Sequence, residues 1–329
     1  MRNNFRVVFF VLAPLLSVLV AAPAWGQTEK FTIGYTSIGP DNGWIWVAEE
    51  MRIFKKYGLD PQLVYTGGGT PATMGLIGGS FDVVFGDTVA VLSAIARGAD
   101  IVILASPINR LMYSLVGSRD VKEVSQLKGK KVGVNRFGAI SDIQTQIILK
   151  RSGVDPKKDV TMIQVGGSTE RLVALNKGMI GAALLSPPRD FLAKRMGLNI
   201  LQIPDVEFIS HGLSTKKDYY QRHPSLLTNF LKAMIEAIYF YKSQPSQTIE
   251  ILMKHLRQRD FEVMDHGYKI VAERYSINPV PDETAIKATW QILKESGLVQ
   301  EVASLKDAFV FSLIEEINAS GFIAKFSKR

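Results

Sequence analysis

Residues 62–85 read Gln-Leu-Val-Tyr-Thr-Gly-Gly-Gly-Thr-Pro-Ala-Thr-Met-Gly-Leu-Ile-Gly-Gly-Ser-Phe-Asp-Val-Val-Phe. The stretch predicts a strand over 62–65, a glycine-rich loop, a helix over 71–77 and a further strand over 82–85. Strands that alternate with helices in this way are typical of α/β units built on a mostly parallel sheet. The fold class is therefore predicted to be α/β.

The same order of features returns 99 residues further along the chain. The same residue type recurs 99 positions later at six places: Gly34 and Gly133, Gly39 and Gly138, Gly67 and Gly166, Gly68 and Gly167, Thr70 and Thr169, and Gly79 and Gly178. One duplication with so long a period predicts two similar lobes rather than a solenoid or a propeller. Chance agreement is the alternative, because glycine is the usual residue of tight turns wherever they occur.

Further elements are predicted on both sides of this unit. Strands are expected over 31–35, 101–105 and 131–134, and helices over 44–57 and 89–97. After His211 the pattern becomes helical, with helices expected over 224–243, 245–256, 261–275, 282–295 and 307–317. Segments near 112–117 and 209–215 are predicted to cross between the lobes. Residues 27–111 and 216–329 would then form lobe 1, and residues 112–215 lobe 2.

The N-terminus has the layout of an export signal. Arg2 and Arg6 precede an apolar run over 7–20, and small residues follow as far as Gly26. The pattern predicts a signal over 1–26 cleaved ahead of Gln27, with a cut after Ala24 as the alternative. A retained membrane anchor is the other interpretation, but the run is shorter than the roughly 20 residues that a span needs. We therefore expect a periplasmic protein.

The amino-acid composition excludes several kinds of site and partner. The absence of cysteine excludes disulfides, thiolate metal sites, a cysteine nucleophile and the lipid-bearing cysteine of a lipoprotein. The net charge is +8, or +6 once Arg2 and Arg6 leave with the signal. Basic residues are scattered rather than gathered in a stripe, so they indicate a solvated surface or weak steering of anions, and no nucleic-acid partner. No cofactor is expected.

The binding site is expected in the loops that follow the strands, where ligands of open α/β sheets lie. Successive glycines let backbone N–H groups converge, and a helix N-terminus adds partial positive charge, so residues 67–70 and 166–169 suit an anion. Tight turns with helix caps are the alternative interpretation. The predicted ligand-binding residues are Ser37, Gly39, Asn42, Trp44, Gly67, Gly68, Gly69, Thr70, Asp87, Thr88, Asn135, Arg136, Gly138, Ser141, Gly167, Ser168, Thr169, Ser186 and His211.

Several of these residues have a second interpretation. Asp87 suits a helix N-cap as well as a cleft contact, and Trp44 a core position as well as the cleft. Arg136 is either a clamp for a carboxylate or sulfonate or a solvent-exposed side chain. The four histidines have no metal-ligand spacing, and no catalytic Ser, His and acid can be grouped. We therefore expect a protein that is not an enzyme and holds no metal.

Several stretches together resemble the periplasmic substrate-binding proteins of ABC importers of the nitrate, sulfonate and taurine group, which share a fold with thiamine-pyrimidine synthase-like proteins. The matching stretches are Ile33-Gly-Tyr35, Gly58-Leu-Asp60, Gly67-Gly-Gly69, Gly79-Ser-Phe-Asp82, Leu127-Lys-Gly-Lys-Lys-Val-Gly-Val134 and the helix over 224–237. The resemblance implies a type II periplasmic-binding fold of two α/β lobes joined by two crossing strands. It also implies lobe closure on a ligand and delivery to a membrane permease driven by an ATPase.

The sequence thus predicts a monomeric periplasmic receptor that captures a small anionic or polar organic molecule, such as a sulfonate, taurine, nitrate or a pyrimidine. Two alternatives remain open. One is a cofactor-precursor synthase of the same fold, although the thiamine-pyrimidine enzymes carry a cysteine-rich motif that this chain lacks. The other is a ligand-sensing module for a membrane receptor.

Overall fold

The computed structural model describes residues 29–281, 283–299 and 305–327. The predicted export signal and its cleavage site lie outside these residues. Within the described ranges, every helix is too short or too polar to cross a bilayer.

Ten strands form two sheets in the described part of the chain. They are β1 Glu29–Tyr35, β2 Leu59–Tyr65, β3 Val83–Asp87, β4 Ile101–Arg110, β5 Ser114–Gly117, β6 Lys131–Val134, β7 Thr161–Gln164, β8 Ala182–Leu185, β9 Asn199–Ile200 and β10 Glu207–Lys216.

Helices follow most of the strands and make up the C-terminal third. They are α1 Gly43–Glu50, α2 Ile53–Lys56, α3 Gly69–Ile77, α4 Thr88–Ile95, α5 Ile140–Arg151, α6 Ser168–Asn176, α7 Arg189–Arg195, α8 Lys217–Arg222, α9 Pro224–Ser243, α10 Pro245–Leu256, α11 Phe261–Arg274, α12 Glu283–Glu295, α13 Leu305–Ala308, α14 Ser312–Ala319 and α15 Ala324–Ser327. Short 3-10 turns occupy Pro40–Asn42 and Val124–Leu127.

Each lobe is built around one five-stranded mixed sheet. The first lobe contains the sheet with strand order β2-β1-β3-β10-β4, and the second lobe the sheet with order β7-β6-β8-β5-β9. In each sheet three parallel strands are followed by an antiparallel one, which is β10 beside β3 in the first and β5 beside β8 in the second. The α/β class and the two-lobed architecture are therefore confirmed.

The duplication predicted from glycine positions is present in the structure. The strand trio β2-β1-β3 occupies in its sheet the place that β7-β6-β8 occupies in the other. Helix α3 begins at Gly69 and α6 at Ser168, and both contain nine residues, so they match at the same offset of 99. The two glycine-rich loops consequently enter equivalent helices of equivalent sheets.

Two predicted helices are interrupted. The helix expected over 44–57 ends after Glu50, because Arg52 adopts a left-handed conformation with φ of 55° before α2 starts. The helix expected over 307–317 is divided into α13 and α14, because Phe309 forms a bridge with Ile103 at the edge of the first sheet. Tertiary pairing outweighs local helix preference there.

The chain passes from the first lobe to the second between β4 and β5, at residues 111–113. The return was predicted near 209–215, but these residues lie inside β10, which pairs with β3 and β4 of the first sheet. The return therefore occurs earlier, between β9 and β10 at residues 201–206. A strand with partners on both sides cannot also serve as a free connection. The division of the chain at residues 112 and 215 stays a prediction.

The apolar core is arranged in layers. Helices α1, α9, α10, α11 and α14 cover one face of the first sheet. A second cluster joins the other face of that sheet to the second lobe, through α4, α5 and α12. Helices α6 and α7 cover the far face of the second sheet. The lobes are thus held in contact on one side, and a cleft remains where the strand ends meet.

Candidate ligand-binding cleft

A cavity of about 540 Å³ lies between the lobes at the carboxyl ends of the parallel strands. Twelve of the predicted ligand-binding residues line it, from both lobes: Ser37, Gly67, Gly68, Gly69, Asp87, Asn135, Arg136, Ser141, Gly167, Ser168, Thr169 and Ser186. The two glycine-rich loops therefore open onto one shared space. Contact of these residues with a ligand stays a prediction.

Trp44 is a core residue, which corrects its predicted place in the cleft. Its side chain is fully buried, and its ring packs edge-on against Phe85 at a centroid distance of 5.2 Å. It also contacts the rings of Phe54 and Phe230. The polar loop before the tryptophan suggested the cleft, but the side of α1 that bears it faces the hydrophobic core.

His211 and Asn42 belong to a buried network beneath the cleft rather than to its wall. His211 Nε2 lies 3.2 Å from Asp41 Oδ2, and Asn42 Nδ2 donates to the backbone oxygen of Ser37 at 2.9 Å. Burial alone would raise the pKa of Asp41, but the hydrogen bond and charge interaction with His211 and the hydrogen bond from Ser37 together hold the pKa below the usual value. The network fixes the loop after β1 against β10.

Four other predicted residues also lie outside the lining of the cavity. Thr88 is buried and donates from Oγ1 to the backbone oxygen of Ile209. Gly39 is buried in the loop after β1, and Thr70 is exposed on α3 outside the cavity. Gly138 adopts φ of 76° and donates its N–H to Asp142 Oδ2 at 2.8 Å, so its role is to shape the turn before α5. Local chain geometry explains these positions.

Asp87 connects the two lobes at the floor of the cleft. Its Oδ1 accepts from Val89 N at 2.9 Å and caps α4, and its Oδ2 accepts from Ile140 N at 3.3 Å at the start of α5. Burial raises the pKa of Asp87, and these two donors oppose the shift. The two interpretations of Asp87, helix cap and cleft residue, therefore both describe it.

The two helices that follow the glycine-rich loops have N-termini without a side-chain cap. Gly68 precedes α3 and Gly167 precedes α6, and neither start has a capping side chain. The loops are glycine-dependent, since Gly67 and Gly166 have φ of 74° and 108°. A Cβ at Gly69 would lie 2.6 Å from Asp87 Cγ, so only glycine lets α3 approach that carboxylate. Free N–H groups and helix dipoles favour a bound anion at such ends.

Arg171, in the first turn of α6, is a cleft residue that the sequence analysis missed. It is only 4% exposed, and it donates from Nε to Leu184 O at 3.0 Å and from Nη1 to Gly166 O at 2.9 Å. No carboxylate of the described chain forms an ion pair with it. Burial lowers its pKa to about 10. A buried cation without a counterion is costly, and an anion in the cleft would offset that cost.

The cleft also contains residues outside the set of predicted ligand-binding residues. Arg189 donates from Nε to Thr169 Oγ1 at 2.8 Å and adds a second cation beside α6. Tyr113 lies in the connection between β4 and β5. Burial raises the pKa of its hydroxyl, and the negative charges of Asp41 and Asp87 raise it further. The remaining lining residues are Thr36, Ile38, Tyr65, Ile140, Gly166 and Glu170.

A second contact between the lobes lies beside the cleft, where α11 packs against α7. Asp190 Oδ2 accepts from Ser114 Oγ at 2.9 Å and lies 3.2 Å from His266 Nε2. The ring of His266 stacks on Phe191 at 4.8 Å. Arg195 of α7 forms an ion pair with Asp260 at the start of α11. The C-terminal helices thus bind the second lobe as well as the first.

Comparison with known proteins gives the family. Residues 40–248 match the model of the NMT1/THI5-like family. The chain belongs to this family. A Bacillus subtilis (strain 168) protein, YtlA, provisionally named a binding protein, is 23% identical over 264 residues, which cover 76% of this chain and 77% of YtlA.

Within the described residues no group of three metal-ligating side chains could hold an ion.

Solved structures share the fold of this family member at low sequence identity. The alkanesulfonate-binding protein SsuA from Xanthomonas axonopodis pv. citri, bound to MOPS, has a TM-score of 0.71 and 16% identity, over 87% of this chain and all of SsuA. The desulfurization enzyme DSZB has a TM-score of 0.63 and 13% identity, over 88% of this chain and 99% of DSZB. The periplasmic-binding fold is therefore confirmed.

Proposed function

We propose that this family member is the solute-binding component of an ABC importer and captures an organic anion between its lobes. The observation that carries the proposal is Arg171, a buried cation that lines the cleft and has no carboxylate partner among the residues that the structure describes. It stands in the first turn of α6, whose N-terminus has no side-chain cap. Charge and helix dipole therefore favour an anion at one place.

The organic part of the proposal follows from the size of the cleft and from the relatives. Pockets for small organic ligands have volumes of about 300–1,000 Å³, and this cavity, at about 540 Å³, falls within that range. One structural relative binds alkanesulfonates, and DSZB has been crystallised with biphenyl-2-sulfinic acid. A sulfonic, sulfinic or carboxylic acid is thus the proposed ligand class.

Capture is proposed to occur by closure of the lobes. A ligand shifts an equilibrium between open and closed forms only if it binds one of them better. Lining residues come from both lobes, with Gly68 on one side and Arg171 on the other, so a bound acid would favour the closed form. The periplasmic location and the membrane permease and ATPase partners belong to the same proposal.

Enzymatic turnover is the second candidate, because DSZB shares the fold. In this chain Ser210, His211 and Asp41 are hydrogen-bonded in series, with His211 Nδ1 at 3.2 Å from Ser210 Oγ. Ser210 is fully buried, however, and lies outside the cavity lining, so its hydroxyl does not meet a ligand in the cleft. The chain also has no cysteine to act as a nucleophile. We therefore propose binding without catalysis.

A thermal-shift and calorimetric screen of the mature protein against sulfonates, carboxylates and pyrimidines tests the proposal. We expect saturable stabilisation by organic acids and release of the compound unchanged, as measured by mass spectrometry. A panel in which no acid stabilises the protein contradicts the binding role. Chemical conversion of a bound acid would support the enzyme instead.

A further inference from the structure

The two walls of the cleft differ in chemistry, and the difference follows the lobes. All three cations of the lining, Arg136, Arg171 and Arg189, belong to the second lobe. Among the described residues of the first-lobe wall none is Lys, Arg or His, and two apolar side chains are exposed there, Ile38 at 44% and Tyr65 at 47%. The duplication makes this division explicit, since the position equivalent to Arg171 is Ala72 and the position equivalent to Tyr65 is Gln164.

The glycine-rich loop of the first lobe is less available to an acid than its counterpart. The N-terminus of α3 already faces a carboxylate, because Asp87 approaches Gly69 closely. At α6 the carboxylate of Glu170 also comes near Gly167, but Glu170 is exposed, and the buried charged side chain there is the cation Arg171. An acid head group is therefore favoured at the second lobe, and the rest of the ligand extends toward Ile38 and Tyr65.

The ring of Tyr65 is held in place rather than mobile on the surface. It packs against Tyr35 at a centroid distance of 5.7 Å and an interplanar angle of 40°. Tyr35 in turn packs edge-on against Trp46 at 6.4 Å. A supported aromatic side chain that remains half exposed inside a cavity offers a flat apolar surface to a ligand, with little conformational entropy left to lose.

From this separation of charge and ring we propose that the preferred ligand is an aromatic acid, with its acid group at Arg171 and its ring against Tyr65. The inference rests on the proposed function and specifies its ligand class. A cavity of about 540 Å³ corresponds to the liquid volume of roughly 18 water molecules, which is far more than a one-carbon acid fills. A ring attached to the acid occupies the apolar remainder.

Calorimetry with matched acids tests the inference, using benzenesulfonate against methanesulfonate and benzoate against acetate. We expect each aromatic acid to bind at least about tenfold more tightly than the partner that has a methyl group in place of the ring. Tyr65→Ala should reduce this ratio of affinities by about 2- to 12-fold, which is the range that corresponds to aromatic pairs. Tyr65→Phe should leave the ratio unchanged. Phe137→Ala is the matched control, because Phe137 is an exposed aromatic outside the cavity lining.

The outcomes separate this inference from the proposed function. Equal binding of the aromatic acids and their methyl partners overturns the aromatic ligand and leaves the binding role intact. A preference that survives Tyr65→Ala, or is lost equally in Phe137→Ala, overturns the assignment of the ring to Tyr65. Failure of all four acids to bind, in folded protein checked by circular dichroism, removes both proposals.

Discussion

Replacing Arg171 by Met removes the charge and keeps most of the side-chain stem. The pKa of Arg171 is about 10, against a usual value near 12.5, and the difference corresponds to roughly 3 kcal/mol of burial cost. Because a cation with a lowered pKa is disfavoured by folding, this cost is present below pH 10 and declines only as the pH rises above it. The substitution recovers the cost but leaves Leu184 O and Gly166 O without a donor, at about 1–3 kcal/mol each. The net change in stability without ligand should therefore lie between a gain of about 1 kcal/mol and a loss of about 3 kcal/mol.

The effect of the substitution on binding, unlike that on stability, should have only one direction. A hydrogen bond to a charged group contributes about 1.5–3 kcal/mol, so Arg171→Met should weaken the binding of benzenesulfonate by about 10- to 150-fold. The same acid should raise the melting temperature of the wild type and leave that of the variant nearly unchanged. Calorimetry and thermal unfolding at pH 7.5 measure both effects.

Arg136→Met is the control, because Arg136 lines the same wall but is exposed. An exposed charge contributes about 1 kcal/mol or less, so we expect a loss below about fivefold. Wild-type affinity in Arg171→Met would refute the assignment of the acid to this residue. A greater loss in Arg136→Met would refute the argument from burial.

Two further predictions concern stability. At pH 7, Asp41→Asn should lower the free energy of unfolding by about 1–3 kcal/mol, because His211 lowers the pKa of Asp41 and so stabilises its charged form. That deficit should begin to shrink below the usual pKa of an aspartate and should be lost only as the pH falls through the lowered pKa of Asp41. Asp87→Asn should instead be neutral or stabilising at pH 7, since burial raises the pKa of Asp87. Urea unfolding of both variants at pH 7 and at a series of successively lower pH values measures this, and equal destabilisation by the two at pH 7 would contradict it. Gly69→Ala should lower the free energy of unfolding by about 1–3 kcal/mol and weaken acid binding, because the new Cβ displaces Asp87. Gly79→Ala is the control, because Gly79 has φ of 77° and no atom near its Cβ position. It should lower the free energy of unfolding by about 1 kcal/mol and leave binding unchanged. Thermal unfolding and calorimetry compare the two, and equal effects on binding would disprove the steric argument.

The duplication could be predicted from the sequence because backbone conformation requires glycine at its turns. Gly67, Gly79, Gly166 and Gly178 all adopt positive φ, so these positions accept few other residues and preserve the pattern. The loops at the strand ends could be predicted for the same reason. Their placement on one cavity follows from the sheet order, which the sequence indicates only through the repeat.

Side-chain direction could not be predicted in the same way. Arg171 occurs in an amphipathic helix, where arginine is usually exposed, and its burial depends on the carbonyl group of Leu184 in a different element. Its position one turn after a glycine-rich loop was the only available signal. Trp44 shows the reverse case, because the loop that precedes it in sequence is polar but its neighbours in space are Phe54, Phe85 and Phe230.

Helix α11 has a mechanical consequence for any opening of the cleft. It begins at residue 261, after the last residue of the family match, and it binds α7 through Asp190 and through the pair of Arg195 with Asp260. Separating the lobes would therefore break these contacts together with the hydrogen bond from Ile140 to Asp87. The resistance to opening, and with it the rate at which a captured molecule escapes, would then be set partly by a segment that lies beyond the residues matched by the family model.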